Sequence, residues 1–197
     1  MTFQQFKRIV AIPLFCALFV WRIVEYPHFY SKTLWFLECM LYAVLVFNYV
    51  TRLPVVSSAQ GFYELVVPYV AAATPFVVFF LPVNPAVRHF PQVFLAGQCL
   101  LIVGTLLTVV GMATLGRSFS ISVEARALVT HGIYRWMRHP IYVGECVAVT
   151  GVAVIRFHMA AFVVVATFVV LQMWRARLEE RKLGETFEEY AKLLAKK

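Results

Sequence analysis

The sequence LVTHGIYRWMRHPIYVGE, residues 128–145, joins a charged segment directly to an apolar one. Arg135, Arg138 and His139 come immediately before Pro140, where a long apolar run begins. Proline is favoured at the first position of a helix, because the amide hydrogen that it lacks would have no partner there. The positive end of the helix dipole and the free amides of the first turn then face these basic residues. This arrangement predicts an anion-binding site at a membrane surface.

Apolar segments of near-spanning length surround this stretch and predict an all-α, polytopic integral membrane protein. Of the residues, 61% are hydrophobic, 14% are charged and none is aspartate, which is unlike a soluble domain. We expect about six transmembrane helices, or five if the first segment, which contains Pro13 and Arg22, lies at the interface instead. The last two should form a tight hairpin. The predicted segments are Ile9–Val24, Leu34–Val50, Phe62–Val83, Gln92–Thr114, Ile141–Ile155 and His158–Trp174.

Basic residues are distributed unequally between the two sets of loops. With a cytoplasmic N-terminus, all but four of the 18 Lys and Arg residues fall on the cytoplasmic side, as the positive-inside rule predicts. The 128–145 stretch and the C-terminus then share the cytoplasmic face, where both could contact one soluble cofactor. The net charge of +8 fits this bias and attraction to anionic lipid rather than nucleic acid, for which no module is present. The opposite side holds Arg22, Lys32, Arg88 and Arg156.

The cysteines and histidines do not have the spacing of a metal site. His131 and His139 are separated across a loop, and no third ligand has a recognisable spacing to them, so no metal is expected. The cysteines lie within apolar segments without a C-x-x-C pair, which predicts buried free thiols. They are Cys16, Cys39, Cys99 and Cys146.

The 128–145 stretch resembles the signature of a family of membrane methyltransferases, which has the form L-V-x-x-G-x-Y-x-x-x-R-H-P-x-Y-x-G. The preceding segment LGRSFS, residues 115–120, is similar to the approach to that signature. The family comprises isoprenylcysteine carboxyl methyltransferases, related prokaryotic membrane methyltransferases and phospholipid methyltransferases. The matching residues are Leu128, Val129, Gly132, Tyr134, Arg138, His139, Pro140, Tyr142 and Gly144.

The resemblance continues into the C-terminal segment and covers roughly residues 115–190. Glu179 and Glu180 resemble a glutamate pair that follows the last membrane helix in the family. The family pattern places about one helical turn between the next leucine and a Phe-Gly pair, whereas here Leu183 and Gly184 are adjacent. The apolar residues after the glutamates share one face and predict an amphipathic C-terminal helix, either lying on the membrane or covering the site. These are Leu183, Phe187, Tyr190 and Leu194.

The resemblance implies S-adenosylmethionine as methyl donor and S-adenosylhomocysteine as product. It places the amino-acid carboxylate of the cofactor near the helix start with Arg138 and His139, and the ribose or amino group near Glu179 and Glu180. The glycine-rich turn of soluble nucleotide-binding folds is absent from the sequence. The cofactor-binding residues implied are His131, Gly132, Tyr134, Arg138, His139, Tyr142, Glu179 and Glu180.

The chemistry of the methyl acceptor determines which side chains would be catalytic. A carboxylate acceptor needs only an arginine to position it, for which Arg138 or Arg175 is the candidate. An amine or thiol acceptor must lose a proton, for which Glu145, His131 or Tyr142 would serve. Glu145 lies inside the membrane edge, where an ionisable group is costly unless it is paired with Arg138 or Arg175 or contacts the reactants. The catalytic candidates are Arg138, Arg175, Glu145 and Tyr142.

Small residues recur on single faces of two predicted helices. This spacing favours close helix packing over the alternative, a slot for a lipid chain between the helices. The residues are Gly97, Gly104 and Gly111 on one helix and Gly144, Ala148 and Gly151 on the next.

These observations predict one membrane methyltransferase domain, with N-terminal membrane helices over residues 1–114 and a catalytic region over residues 115–197. It would use S-adenosylmethionine on a lipophilic or membrane-delivered acceptor, such as a prenylcysteine-type carboxylate, and would contact membrane lipid. A phospholipid amine N-methyltransferase is one alternative. Two others are an NADPH-dependent sterol-type reductase, which has a similar arginine-histidine run, and a non-enzymatic scaffold or transporter. The active site and both termini would be cytoplasmic.

Overall fold

Eight α-helices make up most of the described chain. The computed structural model describes residues 3–24, 26 and 32–195. Single turns of 3-10 helix at Pro85–His89, Gly116–Ser118 and Gly132–Arg135 lie in the connections. The helices are α1 Phe3–Val24, α2 Lys32–Thr51, α3 Phe62–Ala73, α4 Phe76–Phe80, α5 Pro91–Leu115, α6 Pro140–Arg156, α7 Met159–Thr186 and α8 Glu188–Ala195.

The long apolar helices make the chain a multi-pass integral membrane protein. In the described part of the chain, α2, α5 and α7 are long and apolar enough to cross a membrane, and Ile9–Val24 and Phe62–Val78 are shorter apolar helical stretches. The predicted segment at 141–155 lies in α6, a helix of 17 residues whose first residue is Pro140. The all-α class is therefore confirmed, and three of the predicted segments lie in helices long enough to cross a membrane.

The segment predicted as one helix over Phe62–Val83 is interrupted, which corrects the sequence prediction. Helix α3 ends at Ala73, a turn at Thr74 and Pro75 follows, and α4 ends at Phe80. Pro75 has no amide hydrogen to continue the helical ladder. The Thr74 hydroxyl donates to the carbonyl oxygen of Val70 at 2.7 Å. The break is therefore explained by a proline that the hydropathy pattern alone does not weigh.

Helices α5 and α6 pack with their backbones in direct contact. A Cβ atom added at Gly104 would lie 2.3 Å from the amide nitrogen of Ala148 and 2.6 Å from the carbonyl oxygen of Gly144. One added at Gly151 would lie 2.6 Å from the carbonyl oxygen of Gly97. No side chain larger than hydrogen fits at these positions without displacing a backbone. Close packing through small residues, as predicted, is confirmed, and it fixes the start of α6 against α5.

Helix α7 is longer than the predicted segment His158–Trp174. It continues through Gly184 to Thr186 and ends where Phe187 adopts an extended conformation, with φ −124° and ψ 110°. Leu183 therefore belongs to α7, whereas Tyr190 belongs to the separate helix α8. The helix continues through the glycine because good helix formers, Leu183 and Glu185, stand on both sides of it. The Thr186 hydroxyl also donates a hydrogen bond to the carbonyl of Lys182 at 2.7 Å. The amphipathic segment predicted over residues 183–194 is thus divided at Phe187 between the end of α7 and α8.

The connections at one end of the helices are joined by backbone hydrogen bonds. The amide of Leu53 donates to the carbonyl of Arg117 at 2.9 Å, and the amide of Ala125 donates to the carbonyl of Ser57 at 2.9 Å. Lys182 on α7 forms an ion pair of 3.0 Å with Glu64 at the start of α3. The 116–139 connection, the start of α6 and the end of α7 therefore lie together at this end.

The opposite end is organised by the tight α6–α7 hairpin. Phe157 takes the left-handed conformation, with φ 50°, and the His158 side chain accepts a hydrogen bond from the amide of Ala160 at 3.2 Å. Arg156 donates to the carbonyl of Leu81 at 3.0 Å. The short hairpin predicted from the sequence is confirmed, and it returns α7 to the end where α6 starts.

The cysteines are free, but burial was predicted for all of them and only one is fully buried. Cys39 is buried and Cys146 is half-buried, whereas Cys16 and Cys99 lie exposed on α1 and α5. Membrane helices turn apolar residues outward as well as inward, so an apolar segment does not by itself place a thiol in the protein interior.

Candidate functional site

A cavity of about 640 Å³ extends from the junction of α6 and α7 into the helical part of the molecule. We call its charged part the polar end, which is lined by Arg138, His139, Tyr142, Arg175 and Glu179. We call the part that is lined mainly by apolar side chains of the membrane helices the apolar arm. The volume lies in the range of small-molecule sites, and the cavity wall combines residues from the 116–139 connection with residues of several helices.

Glu180 holds two basic residues together at the rim of the polar end. Its Oε1 atom lies 3.2 Å from a terminal nitrogen of Arg138 and 3.1 Å from Nε2 of His139. Arg138 and His139 line the cavity, whereas Glu180 lies behind them. The sequence prediction that the glutamate pair meets the Arg-His pair is therefore realised in the fold, across the α6–α7 hairpin.

Tyr142 lies between a histidine and an arginine deeper in the polar end. The rings of His139 and Tyr142 are stacked, with centroids 5.3 Å apart and planes at 7°. The guanidinium of Arg175 lies 4.6 Å from the centre of the Tyr142 ring. The Tyr142 hydroxyl donates a hydrogen bond to Glu179, whose carboxylate also lies 3.4 Å from Nε of Arg175. Such a desolvated cation–π and hydrogen-bond cluster fixes each of its members in orientation.

The two adjacent glutamates thus have different environments. Glu179 lies on the cavity wall and pairs with Tyr142 and Arg175, whereas Glu180 pairs with Arg138 and His139 behind the wall. The side chains of successive residues on an α-helix point in directions about 100° apart. The pair therefore supports two sides of one site, although the spacing of the motif after it differs from the family form.

Glu145 lies on the wall one turn below Tyr142. Pairing with Arg138 or Arg175 was one of the two alternatives for this carboxylate, the other being contact with the reactants, and its hydrogen bond comes from the side-chain amide of Gln172 on α7. Arg175 is committed elsewhere, since a terminal nitrogen donates to the carbonyl of Ile121 at 2.9 Å and Nε faces Glu179. A neutral amide therefore stands where the first alternative has an arginine.

Two tyrosines outside the membrane-spanning helices close the polar end. Burial, together with the charges of Glu179 and Glu145, raises the pKa of Tyr134 above its usual value. Burial, together with the charge of Glu180, raises the pKa of Tyr190 on α8 to about 12. Both phenols therefore remain protonated at neutral pH, where each is a hydrogen-bond donor.

Two predicted cofactor-binding residues lie away from the cavity wall. His131 and Gly132 are exposed at the start of the 3-10 turn, and neither lines the cavity. Gly132 has φ 58°, and a Cβ atom there would lie 2.8 Å from the side chain of Thr114. Gly132 therefore permits a tight turn against the end of α5, which brings the following Tyr134 onto the wall.

The sequence analysis missed several wall residues. Lys182 and Tyr190 line the polar end, as do Glu124 and Arg126 in the 116–139 connection. Glu124 is buried in an ion pair of 2.8 Å with Arg126. Lys182 lies seven residues after Arg175 on the same helix, and this spacing was a usable signal. The Glu124–Arg126 pair gave no comparable signal, because its position depends on the long-range contact between two connections.

The apolar arm runs from Glu145 towards the middle of the helices. Its wall includes Phe15 and Leu18 of α1, Leu45 of α2 and Val149 of α6. Phe168 of α7 lies at its inner part, with only 1% of its surface exposed. One continuous cavity therefore connects a cluster of charged side chains with an apolar channel inside the membrane helices.

Comparison with known proteins places residues 93–190 in a family. The family model described as phospholipid methyltransferase matches residues 93–190. The protein-S-isoprenylcysteine O-methyltransferase of Rattus norvegicus is 32% identical over 119 residues, covering 55% of this chain and 42% of the relative. The protein-S-isoprenylcysteine O-methyltransferase A of Arabidopsis thaliana is 34% identical over 110 residues, covering 50% of this chain and 55% of the relative.

A third relative and the structural comparison set the limits of this likeness. The protein-S-isoprenylcysteine O-methyltransferase of Tribolium castaneum is 34% identical over 82 residues, which cover 38% of this chain and 29% of the relative. The matched segment thus spans less than two thirds of each relative named here. No solved structure matches the chain at a significant level. Through residues 93–190 the chain belongs to the family of membrane methyltransferases that includes phospholipid and protein-S-isoprenylcysteine methyltransferases, a family that uses S-adenosylmethionine.

Proposed function

We propose that the protein transfers a methyl group from S-adenosylmethionine to a lipophilic acceptor that reaches the site from the membrane. The observation that carries this proposal is the single cavity in which the polar end continues into the apolar arm. A methyltransferase acting on a lipid-linked group needs both parts, one for a charged cofactor and one for an apolar chain. Family membership supplies the reaction class.

The side chains at the polar end suit the amino-acid part of the cofactor, which carries both a carboxylate and an ammonium group. Arg138 presents positive charge and His139 a ring nitrogen beside the first turn of α6, whose amides have no side-chain cap. Glu179 presents a carboxylate on the same wall. S-adenosylmethionine, when bound, supplies an activated methyl group on a sulfonium. The residues of this chain then bind and orient the reactants and exclude water, which is the main requirement for an in-line displacement.

A carboxylate acceptor, such as that named for the isoprenylcysteine relatives, would be positioned by Arg175 or Arg138. Arg175 already pairs with Glu179, contacts the carbonyl of Ile121 and lies over Tyr142. A guanidinium has five N–H donors, so Arg175 would bind the acceptor carboxylate through the N–H groups that these partners leave available.

An amine acceptor, as in a phospholipid amine N-methyltransferase, is the second candidate, and the position of Glu145 favours it. Glu145 lies on the wall between the polar end and the apolar arm and receives its hydrogen bond from neutral Gln172. A carboxylate at that place would take the proton that an amine loses on methylation. Replacement by glutamine, Glu145→Gln, would then abolish methylation of amines and spare methylation of carboxylates.

The cofactor is tested by binding to the purified full chain in detergent. We expect S-adenosylhomocysteine to bind and to be displaced by S-adenosylmethionine but not by NADPH. Displacement by NADPH but not by S-adenosylmethionine would instead indicate a reductase. A protein that binds neither S-adenosylhomocysteine nor NADPH would be a scaffold or transporter. The acceptor is tested by following transfer of a labelled methyl group to a prenylated cysteine analogue or to phosphatidylethanolamine vesicles, on wild-type protein and on Glu145→Gln.

We further propose that six helical segments cross the membrane, with α3 and α4 as one interrupted crossing, and that both termini and the site face the cytoplasm. The distribution of the basic residues supports this orientation, since Arg117, Arg126 and Arg138 lie in the same set of connections. The length of α6 allows a crossing because it is paired with the longer α5 along its whole length.

A further inference from the structure

The inner limit of the apolar arm is set at one level of three helices. Among the described residues, the wall contributed by α5 ends at Thr105, that of α6 at Val149 and that of α7 at Phe168. Gly104 and Ala148 are in backbone contact, so the limits on α5 and α6 coincide. On these three helices the arm therefore stops inside the bundle and does not continue to the α6–α7 hairpin, and the turn between α3 and α4 also lines its side.

Packed side chains fill the space beyond this level. Phe168 belongs to a buried cluster with Val78, Val149, Ala153 and Ala161. Ala153 and Ala161 have no exposed surface, and they allow α6 and α7 to approach each other closely below the cavity. Phe168 is the largest side chain of this cluster, and it contacts both the cavity and the packed residues that follow.

The distance from the polar end to Phe168 follows from the geometry of α7. Arg175 and Phe168 are seven residues apart on one continuous helix, which corresponds to about 10 Å along its axis. An apolar chain whose reacting group lies beside Arg175 would therefore reach Phe168 after a limited length.

We propose that Phe168 ends the channel for the apolar chain of the acceptor and selects acceptors by chain length. This inference rests on the proposed function for the chemistry at the polar end. A chain that is too long would have to displace the Phe168 ring from a packed cluster, and interiors at native packing density do not yield such space readily. A shorter side chain at this position would extend the channel by the volume of the missing ring.

The test uses the full-length protein in detergent, saturated with S-adenosylhomocysteine, and N-acetylcysteine derivatives that carry dimethylallyl, geranyl, farnesyl or geranylgeranyl chains. Binding is measured as the increase in the thermal unfolding midpoint, a readout that needs no methyl transfer. We expect the increase for wild-type protein to rise with chain length and then to fall when the chain exceeds the channel. Phe168→Ala should move this maximum to a longer chain.

Three further variants control for folding, for the direction of the shift and for position. Phe168→Leu keeps an apolar side chain in the cluster and should shift the preference in the same sense. Val149→Phe adds a ring at the same level from α6 and should favour shorter chains. Phe162→Leu, on the exposed face of α7, should leave the profile unchanged.

The same series is then assayed for methyl transfer with S-adenosylmethionine. We expect the kcat/KM of the next longer chain, relative to the preferred one, to rise about tenfold or more in Phe168→Ala, as for other apolar pockets that gain or lose a small group. A shifted binding profile without methyl transfer would contradict the proposed function and leave the channel assignment standing.

Three results would overturn the inference. One is a midpoint that rises without a maximum, which would mean that the chain leaves sideways between the helices. Another is a maximum that is identical in wild-type protein and in folded Phe168 variants. The third is the absence of stabilisation by any chain.

Discussion

At the scale of single residues, the site depends on two glutamates that serve different partners. Glu180 binds Arg138 and His139 from behind, and Glu179 binds Tyr142 and Arg175 on the wall. The Arg-His pair therefore cannot take its position without the C-terminal half of α7. This dependence is measurable as a coupling energy.

We predict that Arg138→Ala and Glu180→Gln each lower the affinity for S-adenosylhomocysteine, and that the double variant loses less than the sum of the two. Residues in one charged cluster commonly interact by about 0.5–3 kcal/mol. Isothermal titration of the four proteins gives the coupling. Arg181→Ala and Glu185→Gln form the control cycle, because that ion pair is exposed on the same helix and such pairs contribute little. Additive losses in folded variants would show that Glu180 does not support the cofactor site.

Tyr190 leads to a prediction about alkaline pH. Its pKa is raised from 10.0 to about 12 by burial and by Glu180. A raised pKa means that the unfolded chain loses the proton first, so this tyrosine contributes stability below pH 10 that is lost as the pH rises from 10 to about 12. Tyr190→Phe should reduce the fall of the unfolding midpoint over that interval. The exposed Tyr63 provides the control Tyr63→Phe, and equal slopes for both variants would refute the assignment.

The sequence predicted part of the charged lining of the cavity and the meeting of the glutamate pair with the Arg-His pair, but not the remaining partners. Arg138, His139, Tyr142, Arg175, Glu179 and Glu180 could be named because they belong to a motif or interrupt an apolar pattern. The Gln172 partner of Glu145 could not, because an amide on an apolar helix gives no charge signal. His131 was named with the motif, but its backbone position turns it away from the cavity.

At the scale of helices, α5 and α6 act as one unit because their backbones touch. We predict that Gly104→Ala lowers the thermal stability of the protein in detergent, since the new methyl group would overlap the amide of Ala148 and the carbonyl of Gly144. Overpacking of this kind costs about 1–3 kcal/mol. Ala113→Val on the exposed face of α5 is the matched control. An unfolding midpoint for Gly104→Ala equal to that of the control would contradict the backbone contact.

The helices themselves were largely predictable, and the exceptions have local causes. Hydropathy gave the positions of α2 and α5 closely, because an apolar run of spanning length has few alternatives to a membrane helix. It did not give the break at Pro75 or the extension of α7 to Thr186. The extension consists of charged residues, and it is stable because Lys182 and Glu179 find partners on other elements.

At the scale of the whole molecule, the connections place the site at one end of the helices and the hairpin at the other. We predict that a single cysteine introduced by Trp136→Cys into a cysteine-free variant reacts with an impermeant maleimide only from the cytoplasmic side. Met159→Cys, at the other end, should react only from the outside. Both side chains are well exposed, at 84% and 79%. Labelling of both from the same side, or the reverse pattern, would overturn the proposed orientation.

The arrangement of the connections could not be predicted from the sequence. The contact between residues 53–57 and 117–125 is made by main-chain atoms, and main-chain pairing leaves no trace in side-chain pattern over such a separation. The Glu124–Arg126 pair and the Lys182–Glu64 pair depend on that contact. The extent of the cavity depends on it as well, because the 116–139 connection forms one of its walls.

The joined backbones of α5 and α6 also determine how the protein meets bilayers of different thickness. Helix α6 has 17 residues, which span about 25 Å, less than the roughly 30 Å of a typical hydrocarbon layer. Because α6 is held along the longer α5 and tilting would only shorten its span, the lipids beside α6 must thin locally to match it, at a cost that grows with hydrophobic mismatch. We therefore expect the proposed methyl transfer to be faster after reconstitution in short-acyl than in long-acyl phosphatidylcholine, so that the acyl length of the host membrane would determine its rate.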